Sequence, residues 1–417
     1  MAEPSNAPAH AAMDQFPLVD AHLIVGGQPL WLLAERVGQT PFYVYERALL
    51  RARVAALRSA LPRAIKLHYA MKANPHAPLV ALMASLVDGV DVASAGELRV
   101  ALDAGADANE VSFAGPGKKD TELKQAVAAG VLVNVESARE LPVLAAAGAA
   151  LGLRPRVAVR VNPDFELKGS GMKMGGGPKQ FGVDVELVPA LLRQIGQLDL
   201  GFEGFHLFAG SQNLRAASIC EAQQKSFDLA LRLAADAPAP VRVLNLGGGF
   251  GIPYFPGEQR LDLAPIGHNL AGIVDRAARE MPQAGLVIEL GRYLVGEAGL
   301  YVARIVDRKV SRGHPFLVTD GGLHHHLSAS GNFGQVVRKN YPATICPGSA
   351  RPGLAVGREI ASAVGPLCTP LALLADRMDL PTGQIGDLVV VFQSGAYGPS
   401  ASPQSFLGHP HCVEVLV

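Results

Sequence analysis

Short apolar segments alternate with longer helical segments from about residue 41 to residue 290, and this alternation limits the possible folds more than any other feature. The short segments are rich in β-branched and other apolar residues, whereas the longer ones carry Ala and Leu at the spacing of an amphipathic helix. Such repetition is typical of strand–helix units around a parallel sheet. Strands are predicted at residues 42–45, 65–70, 89–92, 111–113, 131–135, 156–161, 204–208, 241–246 and 286–290. Helices are predicted at residues 47–61, 78–83, 95–104, 120–129, 138–147, 188–194, 219–235 and 266–281.

The number of these units decides between two α/β folds. About eight units within roughly 250 residues favour a (β/α)8 barrel over an open, doubly wound sheet, although the first strand could lie outside the barrel. After residue 291 helical spacing nearly vanishes. Alternating apolar runs at 301–308, 316–319 and 387–392 are separated there by Gly, Pro and Ser, which predicts a second, β-rich domain.

Four segments of the chain are therefore predicted. Residues 1–17 are expected to be a disordered leader, because they are rich in Ala and Pro and lack the charged and apolar regions of a signal peptide. Residues 18–40 form a lead-in of strand and helix that partly joins the C-terminal domain, and the strand-like stretch 21–24 could pair with it. Residues 41–292 form the barrel, and residues 293–417 form the β-rich domain.

Charge and cysteine usage narrow the classes of partner. The chain has 37 basic and 37 acidic residues, so it lacks the basic excess that nucleic acid or an anionic membrane would select. No uncharged apolar run approaches the roughly 18 residues that a membrane-spanning helix needs. The cysteines form no CxxC pair and fit reduced thiols better than a disulfide framework or a zinc site. We expect a cytoplasmic protein that binds neither nucleic acid nor membrane.

A single lysine, Lys72, follows directly after the predicted strand 65–70, within the sequence Tyr-Ala-Met-Lys-Ala-Asn. Barrel enzymes keep their chemistry at the carboxyl ends of the strands. A partly desolvated lysine there can form a Schiff base with an aldehyde cofactor. An ordinary surface lysine is the alternative.

Two more segments follow predicted strands. Gly247, Gly248 and Gly249 would let backbone N–H groups approach a phosphate, although a plain glycine turn explains them equally well. Glu289 is followed by Gly291 and Arg292, so either Glu289 and Arg292 form a structural ion pair, or Glu289 holds a protonated ring nitrogen while the two later residues meet a phosphate.

Further candidates are ambiguous when taken one at a time. Phe208 could stack on a ring cofactor or fill core, and Cys368 and Tyr397 would each be assigned to core or turn. Three consecutive histidines, 324–326, invite a metal site. Because adjacent residues on a strand point to opposite faces, a loop or substrate-pocket role is favoured, and no metal is predicted.

Taken together, these motifs resemble the fold type III pyridoxal-phosphate decarboxylases, the family of diaminopimelate and eukaryotic ornithine decarboxylases. The resemblance runs from about residue 27 to the C-terminus. The matching segments, in the family's order, are residues 40–45, 69–74, 91–98, 134–137, 160–163, 181–182, 210–212, 247–251, 289–292, 365–368 and 395–397.

The resemblance implies an alanine-racemase-like architecture, pyridoxal 5'-phosphate as cofactor, and a role for each motif. Lys72 would be the Schiff-base lysine, Glu289 the partner of the pyridine nitrogen, and Phe208 the ring-stacking residue. Cys368 would come from the neighbouring subunit and return a proton to the substrate carbon, which implies an obligate homodimer. Phosphate would be bound by Ser211, Gly248, Gly249, Gly291, Arg292 and Tyr397.

Departures from the family bear on the substrate. Phe208 stands where the family usually has a histidine, and Thr369 and Ala372 occupy the acidic positions that grip a distal ammonium. The Arg-Pro segment that holds a distal carboxylate in diaminopimelate decarboxylases is absent between residues 323 and 332. The Gly-rich insertion 168–179 is similar to decarboxylases that act on aminoacyl groups carried by an acyl-carrier protein, and to exosortase-associated decarboxylases. A lid without a carrier role is equally compatible with it.

The sequence therefore predicts a pyridoxal-phosphate-dependent decarboxylase of an α-amino acid or a carrier-bound aminoacyl group. Three alternatives stay open: a diaminopimelate decarboxylase proper, an alanine-racemase-like enzyme, and a non-catalytic homologue that regulates a true decarboxylase. Lys72, Glu289 and Cys368 together argue against the last. The predicted partners are a small amino acid or an aminoacyl carrier protein, and a second copy of the chain.

Overall fold

The computed structural model describes residues 8–20, 22–166, 172–173, 175–350 and 357–417, and the chain forms two compact units. The barrel unit consists of the described part of residues 52–252 and 261–294. The β unit consists of the described part of residues 1–51, 253–260 and 295–417. Residues 168–171 and 174 of the Gly-rich insertion lie outside the described residues.

Eight parallel strands close the barrel. Each strand pairs with the next along the chain, and the last pairs with the first through Leu290 and Tyr69. The predicted (β/α)8 barrel with a second β-rich unit is thereby confirmed. The barrel strands are Ile65–Ala70, Gly89–Val92, Val111–Phe113, Leu132–Val135, Arg156–Asn162, Gly201–Leu207, Val243–Gly248 and Gly285–Leu290. Short strands at Met172–Lys173, Val183–Asp184 and Gly210–Ser211 accompany them.

Helices follow the strands, as the alternation predicts, and their ends carry local signals. Ser94 accepts a hydrogen bond from the Glu97 N–H at the start of one helix, and Gly130 ends another with φ +73°. The helices of the chain are Leu30–Val37, Arg47–Ala60, Ala77–Ala84, Ala95–Asp103, Asp120–Ala129, Glu140–Leu151, Val188–Gln197, Ala216–Ala234, Ala264–Glu280 and Arg292–Val295. Single 3-10 turns lie at Met71–Ala73, Ala108–Glu110, Val185–Leu187, Gly296–Ala298, Pro399–Ala401 and Phe406–Gly408. No helix in the described part of the chain is long and apolar enough to cross a membrane.

The β unit is built on an eight-stranded mixed sheet with the long strand Gly299–Ser311 at its centre. That strand pairs antiparallel with Phe42–Tyr45, His314–Thr319 and Leu388–Val391. Phe42–Tyr45 therefore lies outside the barrel. The remaining strands of the sheet are Ala343–Cys346, Arg358–Val364, Leu373–Pro381 and Val413–Leu416.

The strand-like stretch expected at 21–24 is the strand His22–Val25, and it does not join the large sheet. It pairs instead with Leu18–Val19 and Gln28–Pro29 in a separate three-stranded sheet of the same unit. Leu23 and Val25 are nonetheless buried in the apolar core of the β unit, which explains their pattern.

The expected disordered leader 1–17 is wrong for its second half, whereas residues 1–7 lie outside the described residues. Phe16 is buried in the core of the β unit, with its ring centroid 6.2 Å from that of Phe392. His10 hydrogen-bonds the Asn340 carbonyl at 2.9 Å, and Asp14 pairs with Arg260 at 2.6 Å. Burial of one aromatic side chain outweighs the Ala- and Pro-rich composition around it.

Candidate active site

Eight of the ten predicted site residues lie in the barrel unit, in or directly after its strands. Parallel closure brings the carboxyl ends of the strands to one end of the barrel. The remaining two, Cys368 and Tyr397, belong to the β unit. The eight barrel-unit residues are Lys72, Phe208, Ser211, Gly248, Gly249, Glu289, Gly291 and Arg292.

Lys72 sits in the 3-10 turn Met71–Ala73, immediately after the barrel strand Ile65–Ala70. Its side chain is exposed, and its Nζ lies 5.5 Å from the centroid of the Phe208 ring. Burial raises the pKa of the Glu97 carboxyl, whereas the nearby charge of Lys72 acts to lower it. A primary amine beside an aromatic face can attack an aldehyde.

Glu289 is buried near the end of its strand and is hydrogen-bonded to a histidine. His206 Nε2 donates to Glu289 Oε2 at 3.0 Å. Burial by itself raises the pKa of the Glu289 carboxyl, but the hydrogen bond and charge of His206, with Lys72 and Arg160, outweigh it and hold that pKa below its usual range. Glu289 is therefore an anion at neutral pH, and its partner is His206 rather than the Arg292 that spacing suggested.

The glycines at the ends of two barrel strands are required by close approaches of neighbouring atoms. Gly249 has φ +76°, and a Cβ built there would lie 2.2 Å from the Gly210 carbonyl oxygen. A Cβ on Gly248 would lie 2.0 Å from the Glu289 carbonyl oxygen, and one on Gly291 would lie 2.9 Å from the Ala73 Cβ. These contacts require glycine at all three positions, and the phosphate-binding role of the three glycines stays a prediction.

The histidines 324–326 lie in a turn of the β unit and are buried. His326 Nε2 donates to Ser394 Oγ at 2.9 Å, and His325 Nε2 donates to the Pro410 carbonyl at 2.8 Å. Burial lowers the pKa of His324 and of His326 to about 3. Within the described residues, no group of three or more His, Cys, Asp or Glu side chains could hold a metal ion.

A buried network of hydrogen-bonded side chains, which the sequence alone did not reveal, crosses four neighbouring barrel strands. His68 Nδ1 donates to Asp91 Oδ1 at 3.2 Å, and Ser112 Oγ donates to the same oxygen. Asn134 Nδ2 donates to Ser112 Oγ at 3.3 Å. The available signal was a polar residue inside each strand, because parallel barrel strands are usually continuous apolar runs.

Two buried ion pairs connect segments that follow or end the third, fourth and fifth barrel strands. Arg160 pairs with Glu136 at 2.8 Å, and Lys118 pairs with Glu140 at 3.1 Å. Glu136 also accepts hydrogen bonds from the N–H groups of Gly115 and Gly182. The family-like segments around Asn134 and Arg160 therefore anchor loops at the carboxyl end of the barrel.

Comparison with known proteins places the chain among enzymes of one kind. The family model for "Pyridoxal-dependent decarboxylase, pyridoxal binding domain" matches residues 47–296, more than half of the chain. The L-glutamyl-(BtrI acyl-carrier protein) decarboxylase of Niallia circulans is 39% identical over 381 residues, which cover 91% of this chain and 89% of that one. The diaminopimelate decarboxylase of Aquifex aeolicus is 32% identical over 401 residues, covering 95% and 91%.

A solved structure agrees with the observed fold. The crystal structure of AQ1208 from Aquifex aeolicus superposes with a TM-score of 0.83 at 29% identity, covering 97% of this chain and 93% of that one.

The buried pair of His68 and Asp91 predicts a pH-dependent stability. Burial lowers the pKa of the His68 imidazole, but Asp91 and Glu110 outweigh burial and raise that pKa to about 9. Because the unfolded chain has a histidine pKa of about 6.5, this stabilisation, at most about 3 kcal/mol, is complete below about pH 6.5 and is lost as the pH rises through 9. The melting temperature of His68→Leu should therefore lie below that of wild type at pH 6, and the difference should shrink by pH 10.

The exposed histidine variant His268→Leu is the control and should show no such convergence. A constant difference for His68→Leu across this range would contradict the assignment.

Proposed function

This chain belongs to the pyridoxal-dependent decarboxylases, and we propose that its substrate is an amino acid joined through its side-chain carboxyl to an acyl-carrier protein. The predicted family, decarboxylase class and cofactor, pyridoxal 5'-phosphate, are confirmed by the matches. Because the reaction removes the α-carboxyl group as carbon dioxide, that group must be free. A carrier can then be attached only through a second carboxyl group, as in a glutamyl thioester.

The observation that carries this proposal is the absence of charge where a diamino acid would need it. By the resemblance to the family, Thr369 and Ala372 take the places of the acidic residues that grip a distal ammonium. Ala372 is buried in a small apolar cluster with Leu323 and Leu367. A distal ammonium placed there would lose its hydration without gaining a counter-ion.

The residues at the barrel end fit the cofactor by their chemistry. We assign Lys72 to its aldehyde, Glu289 to its ring nitrogen and Phe208 to the face of its ring. When bound, the cofactor accepts the electron pair that carbon dioxide leaves on the substrate. Its phosphate would be held by Ser211, Gly248, Gly249, Gly291, Arg292 and Tyr397.

The side chains of the protein supply an anion, an amine and a proton. Glu289 stays ionised and so favours a protonated ring nitrogen. Cys368, an exposed thiol of the β unit, would donate a proton to the substrate carbon of the neighbouring subunit in a homodimer. A cytoplasmic location is part of the proposal and agrees with the free thiols of all four cysteines.

The lysine assignment is tested by covalent labelling. Borohydride reduction of the wild-type protein with its cofactor, followed by peptide mapping, should place the label on Lys72 alone. Lys72→Ala should abolish the label, because no other amine follows the strand Ile65–Ala70. Lys119→Ala, at another exposed lysine, should keep it. Label on a different lysine of the wild-type protein would refute the assignment.

The shared active site is tested with hybrid dimers. Lys72→Ala and Cys368→Ala should each be inactive, whereas random exchange of equal amounts should restore about a quarter of wild-type activity, since half the dimers would hold one intact site. Mixing Lys72→Ala with the Lys72→Ala/Cys368→Ala double variant is the control and should restore none. Without recovery, despite exchange demonstrated by mass spectrometry, the two residues do not complement each other across subunits.

Substrate preference is tested by carbon dioxide release from purified enzyme. A glutamyl group on an acyl-carrier protein should be decarboxylated, whereas free meso-diaminopimelate and ornithine should have kcat/KM values lower by about a hundredfold or more. Thr369→Asp should raise kcat/KM for ornithine relative to that for the carrier-bound substrate, because the new carboxylate supplies the missing counter-ion. If the wild-type enzyme had the same kcat/KM for free diaminopimelate or ornithine as for the carrier-bound glutamyl group, the proposed substrate would be excluded.

A further inference from the structure

His206 and Glu289 form a contact that spans the barrel. The strand Val243–Gly248 lies between their two strands, so their side chains meet only because both point into the barrel. Both residues are buried, with 2% and 6% of their surfaces exposed. The hydrogen bond of 3.0 Å is therefore screened from water, which strengthens it.

The geometry fixes which ring nitrogen carries the proton. Nε2 of His206 faces a carboxylate oxygen, whereas Nδ1 is buried and has no hydrogen-bond partner among the described residues. A proton on Nδ1 would have no acceptor and would leave two lone pairs facing each other at Nε2. The histidine therefore donates from Nε2 to Glu289 Oε2.

The other oxygen of Glu289 remains available to a ligand. No described residue donates a hydrogen bond to Oε1, and Oε1 is not among the fully enclosed polar atoms without a partner. The carboxylate thus has one oxygen tied to the protein and one open to the site.

We propose that His206 is the positioning residue that keeps Glu289 oriented and ionised, so that Oε1 meets the ring nitrogen of the cofactor. This inference rests on the cofactor-binding role proposed above for Glu289. His206 does not touch the reacting atoms and acts through the carboxylate.

Other charges around Glu289 do not replace this hydrogen bond. Lys72 and Arg160 contribute favourable charge to Glu289. His68 lies opposite Glu289 on the neighbouring strand, but its ring is hydrogen-bonded to Asp91. The Lys72 amine is committed to the cofactor once that is bound, and Arg160 is already paired with Glu136 at 2.8 Å. His206 is the one described side chain that donates directly to Glu289.

The test measures the protonation of the bound cofactor by spectroscopy and compares it with the steady-state kinetics. In purified protein reconstituted with pyridoxal 5'-phosphate carrying 15N in its ring, the pH dependence of the 15N NMR shift of the ring nitrogen reports whether that nitrogen is protonated. His206→Leu should shift that titration to lower pH by at least about one unit and lower kcat at least about tenfold, with KM nearly unchanged. His206→Gln can still donate an N–H to Oε2 and should stay within about threefold of wild-type kcat.

A shorter amide and a carboxylate variant separate the outcomes. His206→Asn keeps a polar amide but falls short of Oε2, so it should behave like His206→Leu, and it keeps the test valid if the leucine variant does not fold. Glu289→Gln should change the spectrum more than any of them. If Glu289→Gln changes the titration while His206→Leu and His206→Asn leave it as in wild type, the role of His206 is refuted. If Glu289→Gln also leaves it unchanged, the proposed role of Glu289 itself fails.

Discussion

A buried carboxylate, Glu289, is the charge on which the arrangement of the barrel end depends. An ionised group taken out of water is costly unless opposite charge and hydrogen bonds surround it. His206 and Arg160 supply that compensation from two other strands. Lys72 supplies it from the turn after the strand Ile65–Ala70. None of these groups is close to Glu289 in sequence, and His206 lies 83 residues away. Only a closed barrel, in which the last strand pairs with the first, brings them together.

The same constraint explains why the barrel strands are not uniformly apolar. Strands of a parallel barrel are buried on both faces, so a polar residue in one must find its partner on another. His68 finds Asp91 on the next strand, and Asp91 in turn accepts from Ser112. Asn245 accepts from the Gly247 N–H at 2.8 Å and so shapes the start of the glycine run. A one-residue slip of any strand would turn these side chains to the opposite face, which makes the polar pairs determinants of register.

Local patterns predicted the strands of the barrel, because strand formation depends on short-range sequence, whereas the roles of the site residues are predictions that rest on the resemblance to the family. The strands Ile65–Ala70, Gly89–Val92 and Val111–Phe113 begin and end at the predicted residues. What the sequence could not supply were pairings between distant segments. The burial of Phe16, the separate sheet of His22–Val25 and the partnership of His206 with Glu289 each depend on residues that only folding brings near. Spacing suggested Arg292 as partner for Glu289 because it is three residues away, but the buried histidine is the group that reaches the carboxylate.

The β unit adds an argument about the distal end of the substrate, from groups that carry no charge. The resemblance to the family places the histidines 324–326 where diaminopimelate decarboxylases would have an Arg-Pro segment, and burial lowers the pKa of His324 and His326 to about 3. Such rings are neutral at physiological pH and cannot replace a guanidinium as the counter-ion of a carboxylate. Thr369 and Ala372 likewise cannot replace an acidic partner of an ammonium. If the far end of the proposed substrate meets these residues, a charge of either sign there would cost affinity, whereas an uncharged thioester or amide would not. The two departures from the family therefore support the proposed substrate, whose far end would be acylated through the bond that a carrier protein supplies.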